Sequence, residues 1–522
     1  MVDFVGNRTL PDLLEERGEA NPTKPCLIFE SSDGTTRSYS YESMADQVYR
    51  TANALAALGV KKNDAVTLML GNCPEFLMTW LGLAHLGAVA VPANTSNTPA
   101  EIAHVIRYSE SVAVISAARF LGQVKDGLAQ AQWTNLPVIA VGVPDMDVPG
   151  DAHVLQELVD AADPRRPLVA LNSEDPSQMI FTSGTTAAPK AVVHTHANAL
   201  RAGERVAKSL GLESTDRCLT ALPMFHVNAQ CATVLPSLTV GGTCVLLENY
   251  SASRYWSQVR RHRATQTSLV AMQVRTLLRQ VPSEADPDHY LRRVLYAINV
   301  TDAEKDQFEK RYRVELVNYY GLSEAAMVVT IAPLYGPKRW PSVGLPAFDR
   351  EVKVVDRDGL TLPANTAGEL AVKGVPGRTL MKGYFKDSKG TDSAIRDGWL
   401  YTGDTAYIDE AGYVYFVDRK KDMIKRAGEN ISASEVEAAL LDHPCVADAA
   451  VIGVPDAVRD EAVKAFVIVK DGSNVTPERL LEHCSRRLAH FKVPTLLEIR
   501  TDLPRTSVGK IEKKLLRQER SY

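Results

Sequence analysis

"FTSGTTAAPKAVVHTH", residues 181–196, crowds small hydroxyls and a glycine into a few positions, then adds a proline, a lysine and two histidines. Such a cluster reads in two ways. It is ordinary turn chemistry between strands, or it is a phosphate cradle in which backbone N–H groups, hydroxyls and Lys190 wrap an anion. It is not a Walker P-loop, because no glycine precedes Lys190 and Pro189 stands where that motif needs a backbone donor. The rest of the chain decides between the two.

On the N-terminal side, helix and strand patterns alternate. "SYESMADQVYRTANALAALGV" begins with Ser40 as an N-cap, repeats apolar residues at Met44, Val48, Ala52 and Leu55, and stops at Gly59. "AVTLML" (65–70) is a short apolar run of the kind that forms a buried parallel strand. A helix-like "CPEFLMTWLGLAHLGA", a strand-like "VAVP", a helix at 99–109 and a strand at 112–116 follow. This rhythm predicts open, mostly parallel sheets covered by helices. From about residue 340 the texture changes to short strands with tight turns at Asp356–Gly359 and Ala364–Gly368. After the polar stretch "DRKKD" (418–422), helix "ISASEVEAALLDH", strands "VADAAVIGVP" and "EAVKAFVIVK", and helix "TPERLLEHCSRRLAHF" predict a separate α+β unit.

The bulk properties fit this picture. A chain of 522 residues exceeds one hydrophobic core. With 45% apolar residues, 23% charged residues and a net charge of −4, it is neither a disordered chain nor a nucleic-acid binder. The N-terminus does not read as a signal peptide, and no apolar run reaches the ~18 residues of a membrane span. Seven scattered cysteines, never spaced C-x-x-C, predict buried free thiols in a reducing cytoplasm.

Three further stretches carry chemistry. "NYYGLSEAA" (318–326) sets tyrosines before glycine, then a hydroxyl and a carboxylate. "GWLYTGDTAYIDEAGYVYFVDRKKDMIKRAGENISASEVE" (398–437) holds Asp404 in a T-G-D turn, where a carboxylate can take both hydroxyls of a ribose. "LPRTSVGKIEKKLLR" (503–517) places Lys510 after a flexible Ser-Val-Gly. Singly, each has a bland reading as a turn or a solvated charge.

Together with 181–196, and in this order along almost the whole chain, they resemble the acyl-adenylate-forming superfamily: acyl-CoA synthetases, peptide-synthetase adenylation domains and luciferases. "PMFHVNAQC", "ENYSASRYWSQVRRHRAT", "KRWPSVG" and "FVDRKKDMIKRAGENIS" are most similar to carnitine/crotonobetaine-type CoA ligases. The resemblance implies an α/β fold, with a large N-terminal domain (1–420) of two helix-covered sheets and a small β-barrel-like subdomain. A mobile C-terminal α+β domain (421–522) would turn about Lys421.

It also implies roles. Thr182, Ser183, Gly184, Thr185, Thr186 and Lys190 would bind the ATP phosphates. Tyr320 would stack on adenine within Asn318–Gly321, a segment that includes Tyr319, with Asn318 reading the base edge. Ser323 would meet the α-phosphate, and Glu324 would ligate Mg²⁺. Asp404 and Arg419 would hold the ribose, and Lys510 would bridge carboxylate and α-phosphate. His226, Val227, Asn228, Ala325 and Met327 would line the acyl pocket, with His226 also gating thiol entry, and Ala427 and Gly428 would line the CoA path.

The chain departs from the family pattern with alanine at 187, 191 and 427. The methyl of Ala427 is expected to narrow the thiol tunnel, so an amine acceptor stands as the alternative to CoA. "FHVNAQC" and "GLSEAAMVV" offer no acid to a trimethylammonium group beyond Glu324, so the expected substrate is a neutral, largely apolar carboxylic acid.

Overall fold

The computed structural model describes residues 3–142, 152–182, 189–297, 300, 302–419, 423–470, 472–504, 511 and 513–519. Two large sheets dominate. The nine-stranded sheet runs, in spatial order, through Leu345–Pro346, Met327–Ile331, Glu315–Leu322, Arg293–Ala297, Gln266–Val270, Arg217–Thr220, Thr243–Leu247, Pro25–Glu30 and Thr36–Ser40. The eight-stranded sheet runs through Gly383–Tyr384, Lys190–Thr195, Pro176–Thr182, Val89–Pro92, Ala65–Met69, Ser111–Ala117, Val138–Val141 and Ala152–Val154. Inner pairs are parallel and the antiparallel pairs lie toward the edges, as the helix–strand alternation predicts.

The all-apolar strands are buried on both faces. Ala65–Met69 has no exposed residue, as a strand covered by helices on each side requires. Helix Pro74–Leu86 is apolar all round, and every residue but Glu75 is buried. Its Phe, Leu and Met side chains each contribute about 1.5–3 kcal/mol by leaving water. One apolar cluster joins this helix to both large sheets. Helix Tyr41–Ala57 starts where the sequence predicts, Ser40 accepting the Ser43 N–H at 3.1 Å.

Residues from 351 onward form a five-stranded antiparallel sheet of Glu351–Val355, Gly368–Lys373, Trp399–Ile408, Ile395–Arg396 and Val414–Arg419. Here one expectation is corrected. Asp404 stands not in a turn but inside the ten-residue strand Trp399–Ile408. Gly403 has φ +71° and the pairing register slips between Thr405 and Ala406, so a bulge rather than a turn aims the carboxylate.

The last sheet contains Glu429–Ser432, Met423–Arg426, Asp460–Val469, Val446–Asp456 and Leu496–Arg500 and has its own apolar core. Two expected helices shorten. Ile431 and Ser432 belong to a hairpin, and the helix covers Ala433–Leu441 because Ser432 caps it. The other covers only Pro477–Ser485. All seven cysteines are free, five of them buried and Cys73 and Cys445 partly so. Among the described residues no helix is long and apolar enough to cross a membrane.

Candidate active site

A cavity of about 750 Å³ opens where the two large sheets, the antiparallel sheet and the C-terminal unit meet. Strand Glu315–Leu322 supplies its central wall. Because side chains alternate along a strand, Tyr319 and Tyr320 face opposite ways. Tyr319 packs into the core shared by the large sheets, while Tyr320 leans on the clusters of the antiparallel sheet. The tyrosine pair therefore divides between two ends of the cavity.

At the first end the Tyr320 hydroxyl donates to Asp404 Oδ2 at 2.6 Å, and its ring lies stacked 6.0 Å from Phe416. Asn318 donates its amide to the Ser342 carbonyl at 2.9 Å, which orients its side chain. Gly321 is obligatory, since a Cβ there would lie 2.2 Å from the Met327 carbonyl oxygen. Ser323 lines the cavity, and its carbonyl accepts from His194 Nε2 at 2.7 Å. Glu324 Oε1 accepts the Tyr384 hydroxyl at 2.9 Å. Lys190 reaches the same tyrosine, with its Nζ 4.5 Å from the ring centre and 3.1 Å from Asp387 Oδ2. Thr182 lines the cavity at the end of its strand. Arg419 pairs through its backbone with Asp404. Ser183, Gly184, Thr185, Thr186, Lys421 and Lys510 lie outside the described residues.

The turn after Ser323 is held from beneath by two buried arginines. Arg205 makes a two-pronged pair with Asp349 at 2.7 and 2.8 Å and donates to the Ala326 carbonyl at 3.1 Å. Arg350 donates to the carbonyls of Ala325, Val328 and Thr379. Ala326 and Met327 both have positive φ, of 47° and 71°. Such backbone costs about 1–2 kcal/mol per non-glycine residue, and the arginine bonds offset it. Ala325 is wholly buried and does not line the cavity, contrary to expectation, because its carbonyl faces Arg350. Met327 does line it.

At the second end, Phe225, His226, Val227 and Asn228 come together with Val270, Tyr319 and Met327. The tip of hairpin Met423–Ser432 enters here through Gly428 and Glu429. Ala427 does not line the cavity. Its N–H donates to the Arg459 carbonyl at 2.9 Å, and its φ of 52° is the left-handed conformation that glycine adopts without strain. The expected narrowing by its methyl is therefore not what the structure displays.

In the sequence, nothing marks Glu429 beyond a carboxylate beside a glycine in "KRAGEN". Its Oε1 lies 3.0 Å from His226 Nε2, and Asn94 reaches the same oxygen at 3.4 Å. Burial opposes charge on His226, yet the Glu429 carboxylate outweighs it and holds the ring's pKa above its usual value. Burial likewise opposes charge on Glu429, and His226 and Lys492 outweigh it, holding that pKa low.

Lys492 anchors the C-terminal unit. Its Nζ lies 2.8 Å from Glu101, in helix Pro99–Ser109, and 2.8 Å from Glu435 of its own unit. Arg275 pairs across the same boundary with Asp460.

A pH dependence follows from the Glu429–His226 pair. A raised histidine pKa stabilises the docked hairpin fully below the ordinary value of about 6.5 and is lost as pH rises through the raised one. A depressed glutamate pKa stabilises it above the ordinary value of about 4.3 and is lost as pH falls through the lowered one. The difference in thermal midpoint between the native chain and Glu429→Gln is expected to be largest near pH 6 and to shrink toward about pH 9. A difference that stays constant over that range would remove the pair as its source.

Residues 14–385 match the AMP-binding enzyme family, and residues 435–510 match the AMP-binding enzyme C-terminal domain. A crotonobetaine/carnitine–CoA ligase of Salmonella paratyphi A is 40% identical over 523 residues, covering 99% of this chain and all of the relative. Among solved structures, an o-succinylbenzoate CoA synthetase double mutant from Bacillus subtilis, bound with the product analogue OSB-NCoA, superposes with a TM-score of 0.86 at 27% identity. The match covers 98% of this chain and 99% of that one. The amide bond synthetase McbA of Marinactinospora thermotolerans superposes with a TM-score of 0.85 at 26% identity, over 98% and 99% of the two chains. Matched from end to end in sequence and in overall fold, the chain belongs to the adenylate-forming AMP-binding enzymes, on their acyl-CoA synthetase branch.

Proposed function

We propose that this protein joins a neutral carboxylic acid to AMP at the expense of ATP, releases pyrophosphate, and passes the acyl group to the thiol of CoA. The observation that carries this reading is the shared cavity. The Tyr320–Asp404 end suits a nucleoside, the Asn228–Tyr319 end suits an acyl chain, and the hairpin tip with Glu429 meets His226 at that second end.

In the first step a carboxylate oxygen bonds to the α-phosphorus, and the bond to the bridging oxygen breaks to free pyrophosphate. Thr182–Thr186 and Lys190 hold the phosphates, Ser323 the α-phosphate, and Asp404 with Arg419 the ribose. Glu324 fits Mg²⁺. Tyr384 occupies its Oε1, and among the described residues Oε2 has no partner; Mg²⁺ typically takes one or two carboxylates plus substrate phosphates. The ion would supply charge to the phosphates. In the second step the thiol sulfur bonds to the acyl carbon, the C–O bond to AMP breaks, and the thiol proton is released. His226, held by Glu429, and Gly428 border that approach. Between the steps the unit 421–522 would pivot at Lys421. Free cysteines suit a reducing cytoplasm.

Asp404→Ala should weaken ATP binding about 10–100-fold, since two ribose hydroxyls lose a charged acceptor. Titration decides it, and an unchanged dissociation constant would leave Asp404 as only the Tyr320 partner. A second reading, capture of the acyl-AMP by an amine, is favoured by the whole-chain likeness to the amide bond synthetase. One product analysis by mass separates them. With acid, ATP, Mg²⁺ and either CoA or mixed amino acids, thioester is expected. Amide at catalytic turnover without thioester would overturn CoA as acceptor.

A further inference from the structure

The acyl end of the cavity is walled by Phe225, Val270 and Met327, and apart from the His226–Glu429 pair it carries the polar side chain of Asn228. There Ser268, only 1% exposed, donates its hydroxyl to Asn228 Oδ1 at 2.9 Å. With Oδ1 turned to Ser268 in strand Gln266–Val270, Nδ2 is left to the cavity, and among the described residues nothing accepts from it. Burial pushes the pKa of the Tyr319 phenol bordering this end upward, and the Ser268 hydroxyl opposes that rise. The spot is thus a neutral donor held in place by a neutral network.

The carboxylates that line the cavity are each already paired. Glu429 is held by His226, Glu101 by Lys492, and Asp404 by the Tyr320 hydroxyl. A fixed cation carried into the acyl end would meet the positive ends of the Asn228 N–H bonds, while the carboxylate that enters this end, Glu429, is already paired with His226. An oxygen acceptor would meet a donor already in position. A donor left unpaired by the wrong ligand is costly, and this is how a site built for a hydrogen bond rejects the analogue that lacks it.

Resting on the adenylation reading above, we infer that the acid bears a neutral hydrogen-bond acceptor at the end remote from its carboxylate, such as a ketone, ester, amide or hydroxyl oxygen. Asn228 Nδ2 receives it, and acids with a quaternary ammonium at that place are rejected.

The test is pyrophosphate release over a series of chain lengths. At each length an oxo acid is compared with its methylene counterpart and with a trimethylammonio acid, in the native enzyme, Asn228→Leu and Asn228→Asp. In the native enzyme the oxo acid of optimal length should exceed its methylene counterpart about tenfold in kcat/KM, with the trimethylammonio acid poorest. Asn228→Leu should abolish the oxo preference while still turning over the methylene acid, and Asn228→Asp should raise the trimethylammonio acid relative to the oxo acid. Equal or better use of the methylene or trimethylammonio acid by the native enzyme would overturn the inference while leaving adenylation intact. So would an oxo preference that survives in Asn228→Leu. Pyrophosphate from none of the acids would instead overturn the adenylation reading, and the inference with it.

Discussion

Lys510→Ala is expected to release pyrophosphate about 10²–10³-fold more slowly than the native enzyme, with ATP binding still measurable. The reaction brings a carboxylate to a phosphate, two groups of the same charge, and negative charge gathers on the phosphate oxygens as the new bond forms. A cation placed between them stabilises that arrangement more than it stabilises bound ATP, so its loss falls on the rate. Lys510 lies outside the described residues, and its role comes from the S-V-G-K resemblance. Its neighbours in sequence, Leu503, Ile511 and Leu516, pack in one apolar cluster with strands of the C-terminal unit. Thioester formation from supplied acyl-AMP should stay near the native rate, which separates loss of a transition-state cation from loss of fold. Pyrophosphate release at the native rate would remove Lys510 from the first step.

Asp349→Ala is expected to cost about 3–5 kcal/mol of stability, the scale for stripping one partner from a buried ion pair. The Arg205 and Asp349 side chains are 0% and 1% exposed. Burial alone would push the Asp349 carboxyl up, yet Arg205 outweighs it and holds the pKa below the usual range. Without the carboxylate, the Arg205 and Arg350 guanidiniums face each other unneutralised. They also hold the carbonyls of Ala325, Ala326 and Val328. Loosening of the turn that carries Ser323, Glu324 and Met327 should therefore accompany the loss. Urea unfolding of the native chain and the variant measures it; a loss below about 1 kcal/mol would mean that the carbonyl bonds alone suffice. Asp349→Asn, which keeps the shape and discards the charge, should fall between the two.

Much of the architecture is legible along the chain because it rests on local rules. Ala65–Met69 is apolar but for Thr67 and buried at every position, as a strand covered on both faces requires. Ser40 caps its helix with its own hydroxyl. Thr182, Lys190, Asn318, Tyr320, Ser323 and Asp404 were selected by residue type and by resemblance, and they gather around one cavity region or border it. Local rules fail where a distant strand competes. The T-G-D stretch has turn composition, yet pairing with Gly368–Lys373 and Val414–Arg419 draws it into a sheet and leaves a bulge.

The sequence by itself determined the alternation of helix and strand in the first third, the order of the chemical motifs and the family, since those depend on neighbours along the chain. Only the tertiary structure decided what meets across it. The two faces of strand Glu315–Leu322 part Tyr319 from Tyr320. Glu429 comes to His226 across 203 residues, and Ser268 turns the amide of Asn228 across 40. No local pattern encodes such pairs. Their energy comes from burial and charge shared between segments that touch only after the chain has closed into sheets.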